Sequence, residues 1–382
     1  MGIKTFSSAF NSVSTVTLND IAGLRIAFDA FGKLYQASLG VDKIARLTDA
    51  NGEPTSHILV LLRNIVSYFR ANIRQIWVFD YFDYENDFHI PEKEEELKRR
   101  HAAKERANKK IESLSIESFK NDTTFDPLDI EIKVANISKK PTNPTIDSLQ
   151  KRAFSVSNAH ISDLIMLLDC LGIKYVKGIK GYEGEQIAAY LNRKDIVDAV
   201  YSGDSDTLAY GAECFIRSVP SKSETLKYTQ GDIFAQINRQ NPGKGTLENF
   251  RKIAVVLGTD NCEKTERIGP KTVIQKFDSV QLTAKQKKAI EIFAELDEKD
   301  IEVKIVNEDA IQFNEAGIKR LSDWLLLRGF SQKTITDIFD KIKAPLSVAK
   351  SAVIKETTTK VSRLTKQRVS KFAPPRFKKP VD

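Results

Sequence analysis

The stretch Tyr201-Ser-Gly-Asp-Ser-Asp-Thr-Leu-Ala-Tyr-Gly211 carries two aspartates, Asp204 and Asp206, directly after a short apolar run. That run, Asp195-Ile-Val-Asp-Ala-Val200, has β-branched residues and predicts a buried strand that ends at Gly203. Residues i and i+2 of an extended chain point the same way, so we expect the two carboxylates to face each other. The pair is either a cation site or a solvated turn, and acids at the ends of other strands would favour the cation site.

Two further predicted strands also end in an aspartate. They are Leu24-Arg-Ile-Ala-Phe-Asp29 and Ile76-Trp-Val-Phe-Asp80, and helical patterns over Ala30–Leu39 and Thr55–Phe69 separate them. This order indicates parallel pairing, and ligands of open α/β sheets gather outside the carboxyl ends of the strands. The sequence therefore predicts an α/β fold with a central, mostly parallel sheet flanked by helices, and an acidic crevice at one edge.

Two glutamates and a further aspartate extend this acidic set. Glu183 and Glu185 lie two residues apart at the start of a predicted helix, and Asp260 follows a helix predicted to end at Leu257. Alone, the two glutamates would be an ordinary acidic first turn that complements the helix dipole. Because a single helix separates them from the strand over Asp195–Val200, we expect them to lie beside that strand in the sheet.

Seven acids without matching basic partners cannot share one crevice unless cations neutralise them. Oxygen ligands suit hard ions such as Mg²⁺, with Mn²⁺ as a substitute, and not zinc. Two such ions about 4 Å apart are a common device for phosphodiester cleavage, because they activate a water and stabilise charge on the phosphoryl oxygens. The predicted metal ligands are Asp29, Asp80, Glu183, Glu185, Asp204, Asp206 and Asp260.

Basic segments that could hold a nucleic-acid backbone lie elsewhere in the chain. The segment Glu92–Glu112 is dense in charge and has almost no apolar face, so it is either an exposed, salt-bridged helix or a mobile basic helix that clamps phosphates. Gly269-Pro270 is predicted to open a helix whose N–H groups face a phosphate, with Lys271 adding charge; the alternative is a simple helix start. The candidate cations of the basic segment are Lys98, Arg99, Arg100 and Lys104.

Charge is unevenly distributed along the 382 residues, which have a net charge of +8. Twelve of the 59 Lys and Arg residues, but only two of the 51 Asp and Glu residues, lie from Lys341 onward. A near-neutral body with a basic tail indicates a polyanionic partner. Nucleic acid is favoured over a membrane surface because the tail lacks an amphipathic apolar face. Three scattered cysteines argue against a disulfide framework or a zinc cluster.

Together these motifs resemble the XPG/flap-endonuclease family of structure-specific 5′ nucleases, which has a PIN-like fold. The resemblance covers residues 1 to about 280 clearly and residues 281–343 loosely, and all seven acids stand in the family's order. The matching segments are Met1-Gly-Ile3, Ile26-Ala-Phe-Asp29-Ala30, Asn51-Gly-Glu-Pro-Thr-Ser-His57, Val78-Phe-Asp80, Glu183-Gly-Glu185, Ser202-Gly-Asp-Ser-Asp-Thr-Leu208, Leu257-Gly-Thr-Asp260 and Ile268-Gly-Pro-Lys271.

The resemblance also implies roles for individual residues. Gly2 would pack against the active site near the DNA junction, and Tyr35 would stack on a base beside the scissile phosphate. The basic segment would be the family's helical arch, in which Arg100 and Lys93 would be the catalytic cations. The turn after Asp260 would belong to a helix–two-turn–helix that binds duplex DNA. The implied DNA-contacting residues are Gly2, Tyr35, Lys98, Arg99, Lys104, Gly269 and Lys271.

The chain departs from the family pattern in three places. Tyr81-Phe-Asp-Tyr84 replaces the family's Gly-Lys-Pro-Pro after the second aspartate, and the stretch after the arch is longer than expected. Gln367-Arg-Val-Ser-Lys-Phe372 lacks the aliphatic residue and aromatic pair of a clamp-binding box, so a sliding clamp is not an expected partner. These departures suit a divergent member, of cellular or viral origin.

The expected organisation has five parts, within which 149–171 is predicted as one apolar helix and 283–343 as mostly helical. In chain order the parts are an N-terminal nuclease region at 1–112 with the arch at about 84–112, a variable insertion at 113–148, an internal nuclease region at 149–236, the helix–two-turn–helix and C-terminal helices at 237–343, and a disordered basic tail at 344–382.

The resulting prediction is a monomeric, Mg²⁺-dependent nuclease that uses two metal ions to hydrolyse phosphodiester bonds in branched DNA. We expect a 5′-flap endonuclease with additional 5′→3′ exonuclease activity. Its setting would be DNA replication, repair or recombination in the nucleus, or in the host nucleus for a viral protein. Two alternatives stay open, a catalytically inactive protein that binds DNA junctions and a PIN-like ribonuclease. The complete set of repelling acids argues against the first, and the helix–two-turn–helix argues against the second.

Overall fold

The fold is seen in a computed structural model that describes residues 2–11, 13–39, 48–81, 98, 102–113, 149, 153–218 and 225–343. Several predicted features lie outside the described residues: Lys93, Arg99, Arg100, all but the first residue of the insertion at 113–148, and the tail at 344–382. The residues up to Lys343 form one compact unit.

One sheet organises the described residues, and its five central strands run parallel. Its spatial order is β1-β7-β6-β5-β2-β3-β4-β8, with antiparallel pairs only between β1 and β7, β7 and β6, and β4 and β8. The predicted mostly parallel α/β sheet is confirmed. The strands are β1 Ser14–Val16, β2 Arg25–Asp29, β3 Arg74–Val78, β4 Lys174–Val176, β5 Ala199–Tyr201, β6 Cys214–Ser218, β7 Thr225–Thr229 and β8 Ile305–Val306.

Helices pack on both faces of this sheet. Residues 102–113 are also helical and are called the basic helix below. Among the described residues, no helix is both long and apolar enough to cross a bilayer. The labelled helices are α1 Phe6–Ala9, α2 Ala30–Leu39, α3 Ser56–Arg70, α4 Asn158–Leu171, α5 Gly184–Arg193, α6 Asp206–Ala209, α7 Gln230–Gln240, α8 Leu247–Leu257, α9 Val273–Lys276, α10 Ala284–Ala294, α11 Glu315–Leu327 and α12 Gln332–Lys343.

The central strands are buried on both faces, as expected for a parallel sheet. Along β2, Ala27 belongs to one apolar cluster while Ile26 and Phe28 belong to the other, because side chains of a strand alternate between faces. The first cluster includes α5, α8 and α10, and the second includes α2, α3, α4 and α11. The central strands are therefore enclosed between two helical layers.

The strand predicted over Asp195–Val200 is shorter than expected. Helix α5 continues to Arg193, and Asp195 then adopts a left-handed φ of 56°. The Asn192 side chain donates a hydrogen bond to the Val197 carbonyl at 2.9 Å and closes this turn. The apolar residues before β5 therefore cover the end of a helix instead of extending the sheet.

The single helix predicted over 149–171 is also wrong, because α4 begins at Asn158. Ser157 caps it in a reciprocal capping box: its hydroxyl accepts from the N–H of His160, and the His160 ring accepts from the N–H of Ser157. The left-handed Gly172 ends the helix, with a φ of 63°, as its position in the sequence predicts.

The Gly269-Pro270 turn does not open a helix directly. The Gly269 carbonyl accepts hydrogen bonds from the N–H groups of Thr272 and Val273, and only then does the four-residue helix α9 begin. The N–H groups of Thr272 and Val273 are therefore bonded within the turn. In the region 283–343, strand β8 interrupts the predicted helices and adds an edge to the sheet.

Candidate active site

The parallel strands bring their terminal acids to one edge of the sheet. Asp29 is the last residue of β2, level with Val78 of β3, and Asp80 follows two residues after β3. Asp204 follows β5, which pairs with the other side of β2. Three acids from three neighbouring strands therefore share the carboxyl edge, as the sequence predicts.

The segment from Asp204 to Asp206 turns back instead of continuing as a strand. Ser205 has helical angles, φ −75° and ψ −11°, and Asp206 begins α6. The carboxylate of Asp204 accepts a hydrogen bond at 2.9 Å from the N–H of Asp206. The expected extended geometry is therefore wrong, because this local side chain–backbone bond competes with the strand. Both carboxylates are nonetheless buried, 6% and 5% exposed.

Asp29 is fixed by two hydrogen bonds at the start of α2. The Gly32 N–H donates to Oδ1 at 2.8 Å, and the Ser202 hydroxyl donates to Oδ2 at 3.0 Å. Burial, and then the nearby charge of Asp80, raise the pKa of Asp29 to about 6. Asp29 thus sits in an oriented but electrostatically unfavourable position, which a cation would relieve.

The N-terminus of α5 joins the glutamates to the strand acids. The Gly184 N–H donates to Oδ1 of Asp80 at 2.6 Å, and a Cβ at Gly184 would lie only 2.9 Å from that oxygen. Glu183 occupies the N-cap position and accepts a 3.1 Å hydrogen bond from the hydroxyl of Tyr210. This close approach places the glutamate pair beside the acid that follows β3. The expected position directly beside β5 in the sheet is wrong, because β2 and β3 lie between β5 and β4.

Glu185, in the first turn of α5, is the most strongly affected acid of the set. Burial, and then the charges of Asp29, Asp80 and Asp204, raise its pKa well above the ordinary value. Only neighbouring groups can perturb one another in this way. The structure therefore brings together six of the seven predicted acids, Asp29, Asp80, Glu183, Glu185, Asp204 and Asp206.

Asp260 lies half-buried in the loop that follows α8. The Thr259 N–H donates to the Cys262 carbonyl at 3.1 Å and closes this loop. Burial raises the pKa of the Cys262 thiol, and the charge of Asp206 raises it further. The loop that carries the seventh acid therefore lies on the Asp206 side of the group.

Gly2 packs directly against the Asp204–Asp206 turn. Its φ is +83°, and a Cβ there would lie 2.1 Å from Oδ1 of Asp204 and 2.8 Å from the nitrogen of Ser205. The Ile3 N–H donates to the Ser205 hydroxyl at 3.0 Å, which holds the N-terminal segment in place. The structure thus places Gly2 against the acids, where the resemblance puts it, and no other residue type fits without displacement.

The predicted DNA-contacting residues lie in several parts of the structure. Tyr35 is on α2, which begins directly after Asp29, and is 40% exposed. Lys104 in the basic helix donates to the Ser155 hydroxyl at 2.8 Å, while Lys98 is exposed and helical. Lys271 is exposed in the turn that Gly269 begins. The roles of these residues stay predictions.

Comparison with known proteins connects this geometry to a family. The family model "XPG I-region" matches residues 172–260, which include five of the seven acids. The resemblance to the XPG/flap-endonuclease family is confirmed. With it, the expected enzyme class, a DNA nuclease, is confirmed as well.

Relatives and solved structures agree with the family match. Flap endonuclease 1 of Sulfolobus acidocaldarius is 29% identical over 284 residues, which cover 70% of this chain and 71% of that protein. Flap endonuclease-1 from Methanococcus jannaschii has a TM-score of 0.56 at 19% identity, covering 86% of this chain and 95% of that chain. The catalytic core of Rad2 in complex with DNA substrate has a TM-score of 0.56 at 17% identity, and the match covers 89% of this chain and 100% of that chain. These structures share the fold.

The donor set of this acidic site fits hard divalent cations. It consists of carboxylate oxygens whose mutual repulsion raises the pKa of Asp29 and of Glu185, and Mg²⁺ or Mn²⁺ would relieve that repulsion. Among the described residues, no group of three or more His, Cys, Asp or Glu side chains is arranged so that it could hold a metal ion. The assignment of individual ligands therefore stays a prediction.

Lys33 is a buried residue that interacts with the charge of Asp29 and that the sequence-based prediction missed. The residue is only 5% exposed. Its Nζ lies 2.8 Å from the Tyr68 hydroxyl and 3.7 Å from the centre of the Tyr201 ring. Burial lowers its pKa to about 7, and the charge of Asp29 partly opposes this shift. Helical spacing could have identified it, because Lys33 lies on the apolar stripe of α2 with Ala30, Leu34 and Ala37.

Proposed function

We propose that this chain is a Mg²⁺-dependent, structure-specific 5′ nuclease that hydrolyses phosphodiester bonds in branched DNA. The observation that carries the proposal is the group of six buried or half-buried acids at the carboxyl edge of the sheet, closed on one side by Gly2. A protein that only binds DNA gains nothing from acids that repel both one another and the phosphates. The grouping of the acids is explained if they bind cations that take part in cleaving a phosphodiester bond.

The proposed substrate is DNA with a 5′ flap, with 5′→3′ exonuclease activity as a second activity. The curated relatives in support are flap endonucleases, and one fold neighbour is Rad2 bound to a DNA substrate. The proposed setting is replication, repair or recombination of nuclear DNA by a monomeric enzyme that has no sliding clamp as a partner.

The proposed metal ligands are the six grouped acids together with Asp260. Bound Mg²⁺ ions would supply an activated water and stabilise negative charge on the phosphoryl oxygens. The protein's own contribution is to orient the carboxylates before the DNA arrives. Ser202 and Gly32 fix Asp29, the N–H of Gly184 fixes Asp80, and Tyr210 holds Glu183.

The proposed DNA-binding residues come from α2, the arch and the turn after α8. Tyr35 would stack on a base close to the cut, and Lys271 would bind the duplex from the turn after α8. In the arch, Lys98, Arg99 and Lys104 would attract the backbone, and Lys93 and Arg100 would act on the scissile phosphate. Because these contacts are largely to phosphates, affinity should fall steeply with salt.

A panel of labelled substrates tests the proposed function. It compares 5′-flap, gapped, nicked and bubble DNA with single-stranded RNA of the same sequence, each in Mg²⁺, Mn²⁺ or EDTA. We expect fastest cleavage of the 5′ flap in Mg²⁺ and none in EDTA. Tight flap binding without cleavage in either metal would instead identify an inactive junction-binding protein, and preferred cleavage of the RNA would identify a PIN-like ribonuclease.

A further inference from the structure

The short helix α6 lies between the grouped acids and a buried arginine. It begins at Asp206 and ends at Ala209, so the acid is only roughly 4.5 Å along the helix axis from the C-terminal end. Tyr210 directly follows the helix, and its hydroxyl donates to Glu183 at 3.1 Å. A shift at the C-terminal end of α6 would therefore move two of the grouped acids.

Two arginines bind the carbonyls at this end of α6. The last carbonyls of a helix lack partners within the helix, and nearby cations complement the helix dipole. Nε of Arg251 donates to the Ala209 carbonyl at 2.8 Å. Arg193, the last residue of α5, donates to the Tyr210 carbonyl at 2.6 Å. Because Arg251 lies on α8 and is only 4% exposed, α6 is held from two neighbouring helices.

One carboxylate binds both arginines. Asp297, three residues after α10, accepts two hydrogen bonds from Arg251, one of them at 2.8 Å, and one from Arg193 at 2.9 Å. The Phe293 carbonyl accepts a further bond from Arg251 at 2.8 Å, and the Leu296 carbonyl accepts one from Arg193 at 2.7 Å. These contacts hold the planar guanidinium of Arg251 in one orientation. We call Arg193, Arg251 and Asp297 the arginine cluster.

Stability alone does not explain the buried charge of Arg251. Apolar side chains of similar volume are often at least as stabilising as buried ion pairs. An apolar residue at this position would join the cluster that contains its neighbours Phe250 and Ile253, but it could not bind a carbonyl of α6. The arginine therefore adds a directed contact to the helix that carries Asp206.

We propose that the arginine cluster positions Asp206 and Glu183 for metal binding by fixing the C-terminal end of α6. This inference rests on the proposed function, and it makes the three members of the cluster positioning residues that act through the α6 backbone and through Tyr210. Partners behind metal ligands affect metal affinity because they orient the ligands before the ion arrives. Loss of the cluster should therefore weaken metal binding and leave DNA affinity unchanged.

Binding of Mn²⁺ to the chain without DNA tests the proposal, because the EPR signal of free Mn²⁺ is lost when the ion binds. We expect a tight site in the unaltered chain that Asp204→Asn loses. Arg251→Met should weaken binding at this site about tenfold, the lower end of the range for partners behind metal ligands. The Mg²⁺ concentration that half-saturates flap cleavage should rise by the same factor, while flap affinity in EDTA stays unchanged.

The matched control is Arg25→Met. Arg25 binds the carboxylate of Asp198 through two nitrogens, at 2.7 and 3.2 Å, and the carbonyl of Asp195 at 2.6 Å. It is the first residue of β2, whereas Asp29 is the last, so its ion pair lies at the end of the strand away from the acids. We expect Arg25→Met to lower the urea concentration of unfolding without changing Mn²⁺ affinity.

The outcomes separate positioning from general stability. Equal Mn²⁺ affinities in Arg251→Met and the unaltered chain would overturn the proposal, as would an equal loss in Arg25→Met. If Arg251→Met does not unfold cooperatively, Asp297→Asn decides, with Asp198→Asn as its control, since these two side chains are 32% and 35% exposed. Unaltered Mn²⁺ affinity in Asp297→Asn would then contradict the proposal.

The same measurements distinguish failure of the proposed function from failure of the inference. A tight Mn²⁺ site that Arg251→Met weakens, in an unaltered chain that cleaves no flap, would overturn the nuclease assignment alone and support the positioning role. Absence of a tight site from the unaltered chain, or its retention in Asp204→Asn, would overturn both.

Discussion

Gly2 shows how one missing Cβ can control this site. An alanine there would place its Cβ 2.1 Å from Oδ1 of Asp204 and would also strain a φ of +83°. We predict that Gly2→Ala lowers the rate of 5′-flap cleavage at least tenfold, because the Asp204–Asp206 turn must move to accommodate the methyl group. Single-turnover rates at saturating enzyme measure this effect without the contribution of DNA affinity.

Gly243→Ala is the matched control for Gly2→Ala. Gly243 has a similar φ of +78°, but a Cβ there would meet nothing within 4 Å. It should therefore cost about 1 kcal/mol of stability through backbone strain and leave the cleavage rate unchanged. Equal cleavage rates for the two alanine variants would contradict the close packing of Gly2 on the acids.

Lys33 makes the stability of the protein depend on pH. Burial lowers the pKa of Lys33 from 10.5 to about 7. Below pH 7 both the folded and unfolded states are protonated, so the full cost of the buried charge is present. Between pH 7 and 10.5 the unfolded state binds more protons, and the contribution of Lys33 to stability rises by up to about 1.4 kcal/mol per pH unit.

We predict that Lys33→Met removes this dependence. The Lys33→Met variant should have a higher free energy of unfolding than the unaltered chain. This difference should be largest near pH 6 and should become smaller between pH 7 and pH 9. Urea unfolding at several pH values measures the difference, with the exposed Lys287→Met as the control. A difference between Lys33→Met and the unaltered chain that stays constant with pH would show that Lys33 does not titrate in this range.

At the level of helices, the capping box of α4 connects stability to the site. Ser157→Ala removes the cap of α4 and the partner of His160, against which Phe154 packs. The ring centre of Phe154 lies 5.7 Å from that of Tyr35, which is proposed to stack on a base. We predict a loss of about 0.5–2 kcal/mol in the free energy of unfolding together with weaker binding of flapped DNA. Chemical denaturation and DNA titration measure the two effects.

Thr283→Ala separates these two effects. Thr283 caps α10 with the same kind of capping box, but α10 packs in the apolar cluster on the opposite face of the sheet. Loss of the Thr283 cap should lower the free energy of unfolding by a similar amount and leave DNA binding unchanged. Weakened DNA binding in Thr283→Ala would mean that general loosening, and not the segment before α4, affects the DNA.

The elements show where sequence periodicity succeeds and where it fails. Runs such as Leu24–Asp29 are buried on both faces, so their apolar pattern and terminal acid predict strand and position correctly. The prediction fails where local hydrogen bonds decide the backbone, as at Asp204 and at the capping box of Ser157. It also misses Lys33, because a lysine on an apolar stripe is stable only with the aromatic neighbours that the fold supplies.

For the molecule as a whole, the compact unit that ends at Lys343 carries the sheet, both apolar clusters and all seven acids. Residues 344–382 add ten Lys and Arg but only two Asp and Glu residues. We predict that a chain ending at Lys343 unfolds with an unchanged free energy and cleaves bound flaps at an unchanged rate. Its affinity for DNA should fall, and its salt dependence should be less steep, because fewer counterions are released.

Salt titrations of DNA affinity test the contribution of the basic tail at 344–382. A slope of log affinity against log salt that is identical in the full and shortened chains would show that residues 344–382 do not contact phosphates. Lys271→Gln provides the comparison within the compact unit, since loss of one phosphate contact should reduce the slope by about one.

The proposed nuclease activity requires the acids to act together on a phosphodiester bond. The most direct measurement is the rate at which Asp204→Asn cleaves a 5′-flap DNA in Mg²⁺. This substitution preserves the size of a buried side chain. The control is Asp323→Asn, on the exposed face of α11. We predict that Asp204→Asn loses cleavage by at least a hundredfold while still binding the flap, and that Asp323→Asn cleaves normally. Equal cleavage by the two variants would contradict the assignment of this acidic edge as the active site.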